Sequence, residues 1–239
     1  MLQSGLLGAN GVAHAFTMRP DNLSLPSGPQ HNRAAACRAA LCVALGAEAH
    51  RLTTMRQVHG AGVAVVSREQ EGTDLEQVDA LVVDRPGVPL LALSADCPLV
   101  VVCDPVRAVL GVAHAGWRGT LAGIARGLVD AMVTSCGARP PDMVAAVGPS
   151  AGPDRYEVGP EVRDQAAGCL PGGERFFRRR GDTLLLDLWT ANVDQLCRAG
   201  LDPRRIDLAA HCTIGDERFH SYRRDGAATG HAALVALLR

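Results

Sequence analysis

The chain has 239 residues, of which 47% are hydrophobic and 21% charged, a balance typical of a folded globular protein and not of a disordered one. Its net charge is −1 and all 24 basic residues are arginine, so we expect neither bulk attraction to nucleic acid or membrane nor lysine-based catalysis. The eight cysteines form no CxxC pair, no secretory leader opens the chain and no apolar run reaches membrane-spanning length, which predicts a cytoplasmic protein with reduced thiols.

The N-terminal part of the chain mixes strand-like runs with one helix and one loop. Periodicity and turn residues predict a strand at Gly11–Arg19, a loop at Pro20–His31 and an amphipathic helix at Asn32–Leu45. They also predict two strand pieces around a tight bend within Leu52–Val66, and a strand at the end of the segment Asp74–Asp84. His59 lies just before Gly60 in that bend. Taken alone it is an exposed turn histidine more often than a ligand.

The central stretch Leu91–Met132 predicts strand, turn, strand and helix. Pro98–Cys103 and Ala108–Ala113 are apolar runs, and the Asp-Pro-Val-Arg sequence between them suits a type I turn. If that four-residue loop sets the register, Cys97 lies directly opposite His114, with Cβ atoms about 4.5–5.5 Å apart. A thiolate and an imidazole at that distance can share one metal ion or one proton.

The sequence that follows His114 leads into a helix with apolar residues at helical spacing. Thr120 is the predicted N-cap, so the first-turn amides, with Arg118 beside them, would suit an anion such as phosphate. With His59 added, the Cys97 and His114 pair becomes a His/Cys/His set that leaves the fourth tetrahedral position open, as catalytic zinc requires. The alternative is that Cys97 is a small buried hydrophobe and His114 a hydrogen-bonded structural residue.

The C-terminal half predicts further strands and helices without a break in composition. Its elements are a strand at Met143–Val147, a helix opened by Tyr156–Val162, a solvated loop at Glu174–Arg180, a helix entered by Leu184–Leu196 and capped near Asp187 or Thr190, and strands at Asp207–Cys212 and His231–Leu238. Tyr222 and Arg223 could grip a substrate, although a structural salt bridge to Asp225 is an equal alternative. We predict one domain covering residues 1–239.

Several motifs together resemble a known family over nearly the full length of the chain. They are Arg56-Gln57-Val58-His59-Gly60, Asp79-Ala80, Ala95-Asp96-Cys97-Pro98, His114-Ala115-Gly116-Trp117-Arg118-Gly119-Thr120, Gly148-Pro149-Ser150, Tyr156-Glu157-Val158-Gly159 and Ser221-Tyr222-Arg223-Arg224-Asp225-Gly226. The family is the YfiH family, also called the laccase-domain or multicopper polyphenol oxidase family, whose members include purine nucleoside phosphorylases and a peptidoglycan editing factor. The resemblance implies a single α/β domain with the four-layer α/β/β/α fold, similar to that of cytotoxic necrotizing factor.

The resemblance also implies a zinc ion bound by His59, Cys97 and His114, and phosphorolysis of adenosine, inosine or methylthioadenosine, with adenosine deamination at the same site. Arg118 and Arg223 are our candidates for holding phosphate. The chain departs from the family pattern at Asp154-Arg155, at Pro20-Asp21-Asn22, at His220 and at His231, which leaves substrate preference open. The expected ligands are a nucleoside and phosphate; we expect no nucleic acid or membrane partner, and a monomer.

Three other functions compete with this interpretation. A copper oxidase acting on phenols would share the His/Cys/His set, but the eight histidines are isolated and lack paired HxH motifs, so copper is expected at most as an adventitious metal. A cysteine hydrolase of cell-wall precursors would use Cys97 as nucleophile, His114 as base and the Gly119 and Thr120 amides as oxyanion donors. A non-catalytic binding module would tolerate loss of Cys97.

Overall fold

The protein is described here by a computed structural model that covers residues 1–25 and 30–239. The helices of these ranges are α1 (Gly5–Ala9), α2 (Gln30–Ala44), α3 (Trp117–Leu121), α4 (Ile124–Cys136), α5 (Pro160–Cys169), α6 (Leu188–Arg198) and α7 (Tyr222–Asp225). The strands are β1 (Val12–Phe16), β2 (Thr54–Arg56), β3 (Val63–Val65), β4 (Asp74–Glu76), β5 (Ala80–Val83), β6 (Leu90–Ser94), β7 (Leu99–Asp104), β8 (Val109–His114), β9 (Val144–Val147), β10 (Glu157–Val158), β11 (Phe177–Arg180), β12 (Thr183–Leu186), β13 (Ile206–Leu208) and β14 (Ala232–Leu238).

Two sheets pack face to face at the centre of the molecule. One has six strands in the order β13-β9-β7-β8-β5-β3, and the other has three in the order β1-β14-β6. Apolar side chains alternate between the two faces of each strand, and one set from each sheet fills the space between the sheets. Leu81, Val101 and Val112 enter this layer from the larger sheet, and Leu90 and Leu234 from the smaller one.

Helices cover the outer face of each sheet, which explains why the central strands are apolar on both faces. The outer face of the six-stranded sheet packs on α4, whose Ile124, Leu128 and Met132 are fully buried, and on α6 beside it. The outer face of the three-stranded sheet packs on Leu41 and Cys42 of α2. The layers therefore run α/β/β/α, and the predicted fold class is confirmed.

The predicted hairpin exists, but the predicted strand register is wrong by two residues. Leu99, not Cys97, lies opposite His114, and the last pair before the turn is Asp104 with Val109. The Asp104 carboxylate accepts hydrogen bonds from the backbone N–H groups of Val106 and Arg107, which extends β7 through Asp104 and shifts the four-residue loop one position along the chain. Cys97 remains next to His114 because a shift of two residues preserves the face of the strand.

The predicted helix after His114 is divided into two. The first helix, α3, begins at Trp117, directly after Gly116, so Thr120 is not its N-cap. Gly123, with a φ of 83°, separates α3 from α4. The Thr120 hydroxyl instead donates to the Ala115 carbonyl. Only glycine adopts that left-handed conformation at little cost, and this accounts for the break.

The other predicted elements agree in kind and differ at their ends. The segment Glu174–Arg180 is not a loop throughout, because its last four residues form β11 and pair with β12. The segment Tyr156–Val162 includes the short strand β10 before α5 begins. In the segment Leu184–Leu196, β12 comes first, and the helix α6 begins after Asp187, which caps it. Residues 26–29 of the predicted Pro20–His31 loop lie outside the described residues. Across the described ranges, the structure contains no helix with the length and apolarity needed to cross a membrane.

Candidate metal centre and active-site cleft

Three potential metal ligands meet at one end of the β7–β8 hairpin. His59 comes from the bend between β2 and β3, Cys97 from the turn between β6 and β7, and His114 from the last position of β8. Their donor atoms all lie within 4.8 Å of one another. His114 is buried, Cys97 half-buried and His59 exposed, so the group is open on one side. The structure thus brings together the three residues that the sequence proposed as ligands.

A buried carboxylate that the sequence analysis did not place in the site holds two of these ligands. Asp79 is fully buried at the start of β5, and its Oδ1 accepts from the His114 ring nitrogen Nδ1 at 2.9 Å and from the His59 backbone N–H at 3.0 Å. Its Oδ2 accepts from the backbone N–H groups of Val58 and Gly60. Because Nδ1 of His114 is committed to Asp79, Nε2 is the nitrogen left for a metal ion.

Cys97 and His114 shift each other's pKa toward the charged forms. Burial opposes ionisation of Cys97, but hydrogen bonds and positive charge from His114 and His59 lower the pKa of the thiol from 9.0 to about 7. Burial likewise opposes the charged form of His114, yet Asp79 and Cys97 raise its pKa from 6.5 to about 9. Burial also disfavours the Asp79 carboxylate, and its hydrogen bonds outweigh this and lower its pKa.

The loop that carries Cys97 is fixed by its neighbour Asp96. Asp96 has a φ of 92°, and its buried carboxylate accepts from the Thr213 hydroxyl at 2.6 Å and from the Arg223 backbone N–H at 2.7 Å. The Ser94 hydroxyl donates to the Cys97 carbonyl at 2.7 Å. These bonds hold a strained backbone conformation and connect the Cys97 loop to the segment that bears Tyr222 and Arg223.

The donor set and the space around it fit a metal ion. Gly116 is the residue that leaves room: a Cβ placed there would lie 3.0 Å from the Cys97 Sγ and 3.3 Å from the His59 ring. Donors on a tetrahedral zinc ion, with bonds of about 2.0–2.3 Å, lie roughly 3.5 Å apart, so small side-chain shifts close the observed group onto one ion. These three side chains can therefore bind a metal.

A cleft of about 960 Å³ opens on the metal-ligand group, which consists of His59, Cys97 and His114. Aromatic and arginine side chains line the part of it around this group, namely Trp117, Arg118, Tyr156, Tyr222 and Arg223. Tyr156, which the sequence analysis left out of the site residues, is buried, and burial raises the pKa of its phenol to about 12, so it is a neutral hydrogen-bonding group there.

The three predicted substrate-binding residues all line this cleft, and they differ in the contacts that they make. Arg118 is exposed, its guanidinium lies 4.2 Å from the Trp117 ring centroid, and it makes no ion pair with any described residue. Tyr222 is 61% exposed. Arg223 donates from Nη1 to the Glu157 carbonyl at 2.7 Å and lies over the Tyr156 ring.

Two alternatives from the sequence analysis are wrong in their details. Asp225 pairs with Arg19 and Arg224, not with Arg223, so Arg223 is not held by the expected salt bridge. The Thr120 amide donates to the Gly116 carbonyl at 2.8 Å as part of α3, so it is not free to act as an oxyanion donor. A helix of five residues also offers little of the dipole expected for anion binding.

Known proteins resemble this chain along nearly its whole length. A protein from Deinococcus radiodurans named purine nucleoside phosphorylase is 39% identical over 242 residues, covering 95% of this chain and 90% of its own. Purine nucleoside phosphorylase YlmD from Geobacillus stearothermophilus is 36% identical over 190 residues, covering 75% of this chain and 69% of its own.

Solved structures show the same fold. The crystal structure of YlmD from Geobacillus stearothermophilus matches with a TM-score of 0.88 at 30% identity, covering 99% of this chain and 94% of that one. The crystal structure of the Bacillus licheniformis hypothetical protein YfiH also has a TM-score of 0.88, at 28% identity over 96% and 94% of the two chains. A family model described as multi-copper polyphenol oxidoreductase laccase matches residues 9–239. The chain therefore belongs to this laccase-like family, to which the sequence motifs pointed.

Proposed function

We propose that the protein is a zinc-dependent purine nucleoside phosphorylase, which converts adenosine, inosine or methylthioadenosine and phosphate to the base and the sugar 1-phosphate. The observation that carries the proposal is the His59, Cys97 and His114 group, open to a cleft, in a chain 39% identical to a protein named purine nucleoside phosphorylase. We also propose that the enzyme is a cytoplasmic monomer of one domain.

In the proposed reaction, an oxygen of phosphate forms a bond to the anomeric carbon of the ribose. The glycosidic bond breaks, and its electron pair leaves with the base. His59, Cys97 and His114 would hold a zinc ion, which would supply Lewis-acid chemistry to polarise an oxygen or activate a water. In deamination of adenosine, water would replace the amino group of the purine ring, which would leave as ammonia. Arg118 and Arg223 are available to orient anionic oxygen, and Asp79 keeps Nε2 of His114 turned toward the group.

The experiment that tests this function is chromatography of adenosine incubated with zinc-loaded protein, with and without phosphate. We expect adenine only when phosphate is present, and loss of most of the activity in Cys97→Ser. Cys169→Ser is the matched control because Cys169 is exposed and outside the cleft. Inosine alone would indicate a deaminase, and the absence of any product would contradict a nucleoside substrate.

A cysteine hydrolase is the second candidate because the Cys97 pKa of about 7 beside His114 also suits a nucleophile. Chelation separates the two chemistries. A zinc enzyme loses activity in a strong chelator and regains it with zinc, whereas a thiol enzyme survives chelation and is inactivated by an alkylating agent.

The laccase-like family name raises copper as an alternative metal. His/Cys/His is also the equatorial set of blue-copper sites, which absorb strongly near roughly 600 nm. We expect protein loaded with copper to oxidise phenols weakly or not at all, and a colourless purified protein that contains zinc by elemental analysis would favour the phosphorylase.

A further inference from the structure

The cleft continues from the metal-ligand group to a second wall that the proposed function does not use. This wall contains Arg38 from α2 and His231 at the start of the last strand. Leu23 joins them, since its backbone N–H donates to the His231 carbonyl at 3.0 Å and its carbonyl accepts from Nε of Arg38 at 2.8 Å. One residue thus joins the Arg38 guanidinium to the backbone of His231, and both residues line the cleft.

Arg38 is half-buried, and most of its hydrogen-bond donors have no partner among residues 1–25 and 30–239. Of its five N–H groups only the one on Nε has a partner among the described residues, and it makes no ion pair there. Residues 26–29 read Pro-Ser-Gly-Pro and contain no carboxylate that could pair with it. Burial lowers the pKa of Arg38, while the charge of Asp74 and the Cys42 thiol act in the opposite direction.

Asp74 is an acidic residue that also lines the cleft, and its charge acts on Arg38 without forming an ion pair with it. It is exposed, and its Oδ1 accepts from the Thr54 hydroxyl at 2.7 Å. A half-buried guanidinium that makes no ion pair attracts an anion more strongly than a fully exposed one does, because water screens its charge less. The fork of two terminal nitrogens suits phosphate oxygens.

His231 adds a second hydrogen-bonding group to this wall. Its backbone N–H donates to the Asn22 side-chain oxygen at 2.9 Å, which fixes the start of the strand. Its Nδ1 is buried and has no hydrogen-bond partner in the part of the chain that the structure describes. The His231 imidazole therefore brings to the cleft a hydrogen-bonding capacity that no described residue uses.

We propose that Arg38, supported by His231, forms a phosphate-binding subsite of the cleft, a role that the sequence analysis gave to Arg118 and Arg223. This deepens the proposed function and rests on it for the identity of the bound phosphate. Arg118 and Arg223 are exposed, so water and salt weaken their attraction for an anion, whereas Arg38 is half-buried. The phosphate is either the inorganic co-substrate or the 5′-phosphate of a nucleotide.

The test is calorimetric titration of the zinc-loaded protein with inorganic phosphate and, separately, with adenosine 5′-monophosphate. The variants are Arg38→Gln and Arg38→Lys, which retains the charge but not the fork. Arg33→Gln is the matched control, because Arg33 lies on the same helix, is exposed and is outside the cleft. Circular dichroism checks that each variant folds, and the lysine variant replaces the glutamine variant if the latter does not.

We expect Arg38→Gln to weaken phosphate binding at least about tenfold and to raise the KM for phosphate while the KM for adenosine changes little. Arg33→Gln should match the wild type. A loss confined to the nucleotide titration would support the subsite and assign it to a 5′-phosphate. Unchanged binding of both ligands would overturn the proposal. If the wild type releases no base from adenosine, the proposed function fails, and the titrations still decide the subsite.

Discussion

Asp79 is the residue on which the geometry of the metal-ligand group depends most. Its carboxylate accepts four hydrogen bonds, one of them from Nδ1 of His114. Asp79→Asn keeps the shape of the side chain, but its amide NH₂ cannot accept, so part of this set is lost. We expect the affinity for zinc to fall about 10–100-fold, which is typical when a metal-binding histidine loses its hydrogen-bond partner. A competition titration against a chromophoric chelator measures this affinity.

Asp130→Asn is the control for this experiment, because Asp130 is an exposed residue of α4 whose ion pair with Arg126 lies at the surface. Its affinity for zinc should equal that of the wild type. Equal affinities in both variants would mean that Asp79 supports the fold and not the ligands.

The lowered pKa of Cys97 predicts how metal-free protein reacts with an alkylating agent. Since a lowered pKa means that the thiolate exists above about pH 7 and is lost below it, the rate of iodoacetamide labelling at Cys97 should be half-maximal near pH 7. Mass spectrometry of chelator-treated protein measures this rate. His114→Gln removes positive charge beside the thiol and should move the midpoint upward.

Cys103 provides an internal control in the same protein. Its thiol is fully buried, and burial raises its pKa to about 12, so it should stay unlabelled throughout. A midpoint near 9 for Cys97, the ordinary value for a thiol, would show that the histidines do not stabilise the thiolate.

The three candidate ligands could be singled out from the sequence, whereas the carboxylate that orients two of them could not. His59, Cys97 and His114 each have a common structural explanation when taken alone, but the motifs around them are specific in combination. Asp79 is one acidic residue before an apolar run, and a carboxylate in that place usually points to solvent. Its burial becomes understandable only when the backbone N–H groups of residues 58–60 surround it.

At the scale of elements, hydrophobic pattern predicted the strands and helices, and local hydrogen bonds set their ends. Nothing in the composition of the β7–β8 turn distinguishes a loop starting at Asp104 from one starting at Pro105; the Asx-type bonds of Asp104 decide it. The start of α3 is likewise local, since the helix begins after Gly116, where a Cβ would lie 3.0 Å from the Cys97 sulfur.

Gly111 of β8, which faces α4, and Gly127 of α4, which faces β3, should respond to alanine in opposite directions. A Cβ on Gly111 would lie 2.7 Å from Cδ1 of the buried Leu128 and 3.1 Å from the Met132 sulfur, so Gly111→Ala should lower the free energy of unfolding by about 1–3 kcal/mol. Gly127 lies within α4, and a Cβ there would meet only Val63 at 3.9 Å. Gly127→Ala should raise the free energy by about 0.5–1 kcal/mol through helix propensity.

Urea unfolding of the two variants beside the wild type measures both effects. A neutral Gly111→Ala variant would show that Leu128 and Met132 can move apart without cost, and α4 would then pack less tightly on the sheet than the contact distances indicate.

At the scale of the whole molecule, the metal-ligand group joins separate parts of the chain. His59 follows β2, Cys97 follows β6 of the three-stranded sheet, and His114 ends β8 of the six-stranded sheet, so the two sheets and a long bend meet at one point. An unfolded chain would not hold these three side chains together. A zinc ion that binds the folded state alone would therefore stabilise the whole fold.

The size of this stabilisation follows from mass action. At a free zinc concentration of one hundred times the dissociation constant, it amounts to about 2.7 kcal/mol, which corresponds to a rise in Tm of roughly 5–10 °C for a chain of this size. Scanning calorimetry of metal-free and zinc-loaded protein measures it. Cys97→Ser should lose most of the rise, and Cys169→Ser should retain it. An equal rise in both variants would mean that zinc stabilises the protein at some place other than the His59, Cys97 and His114 group.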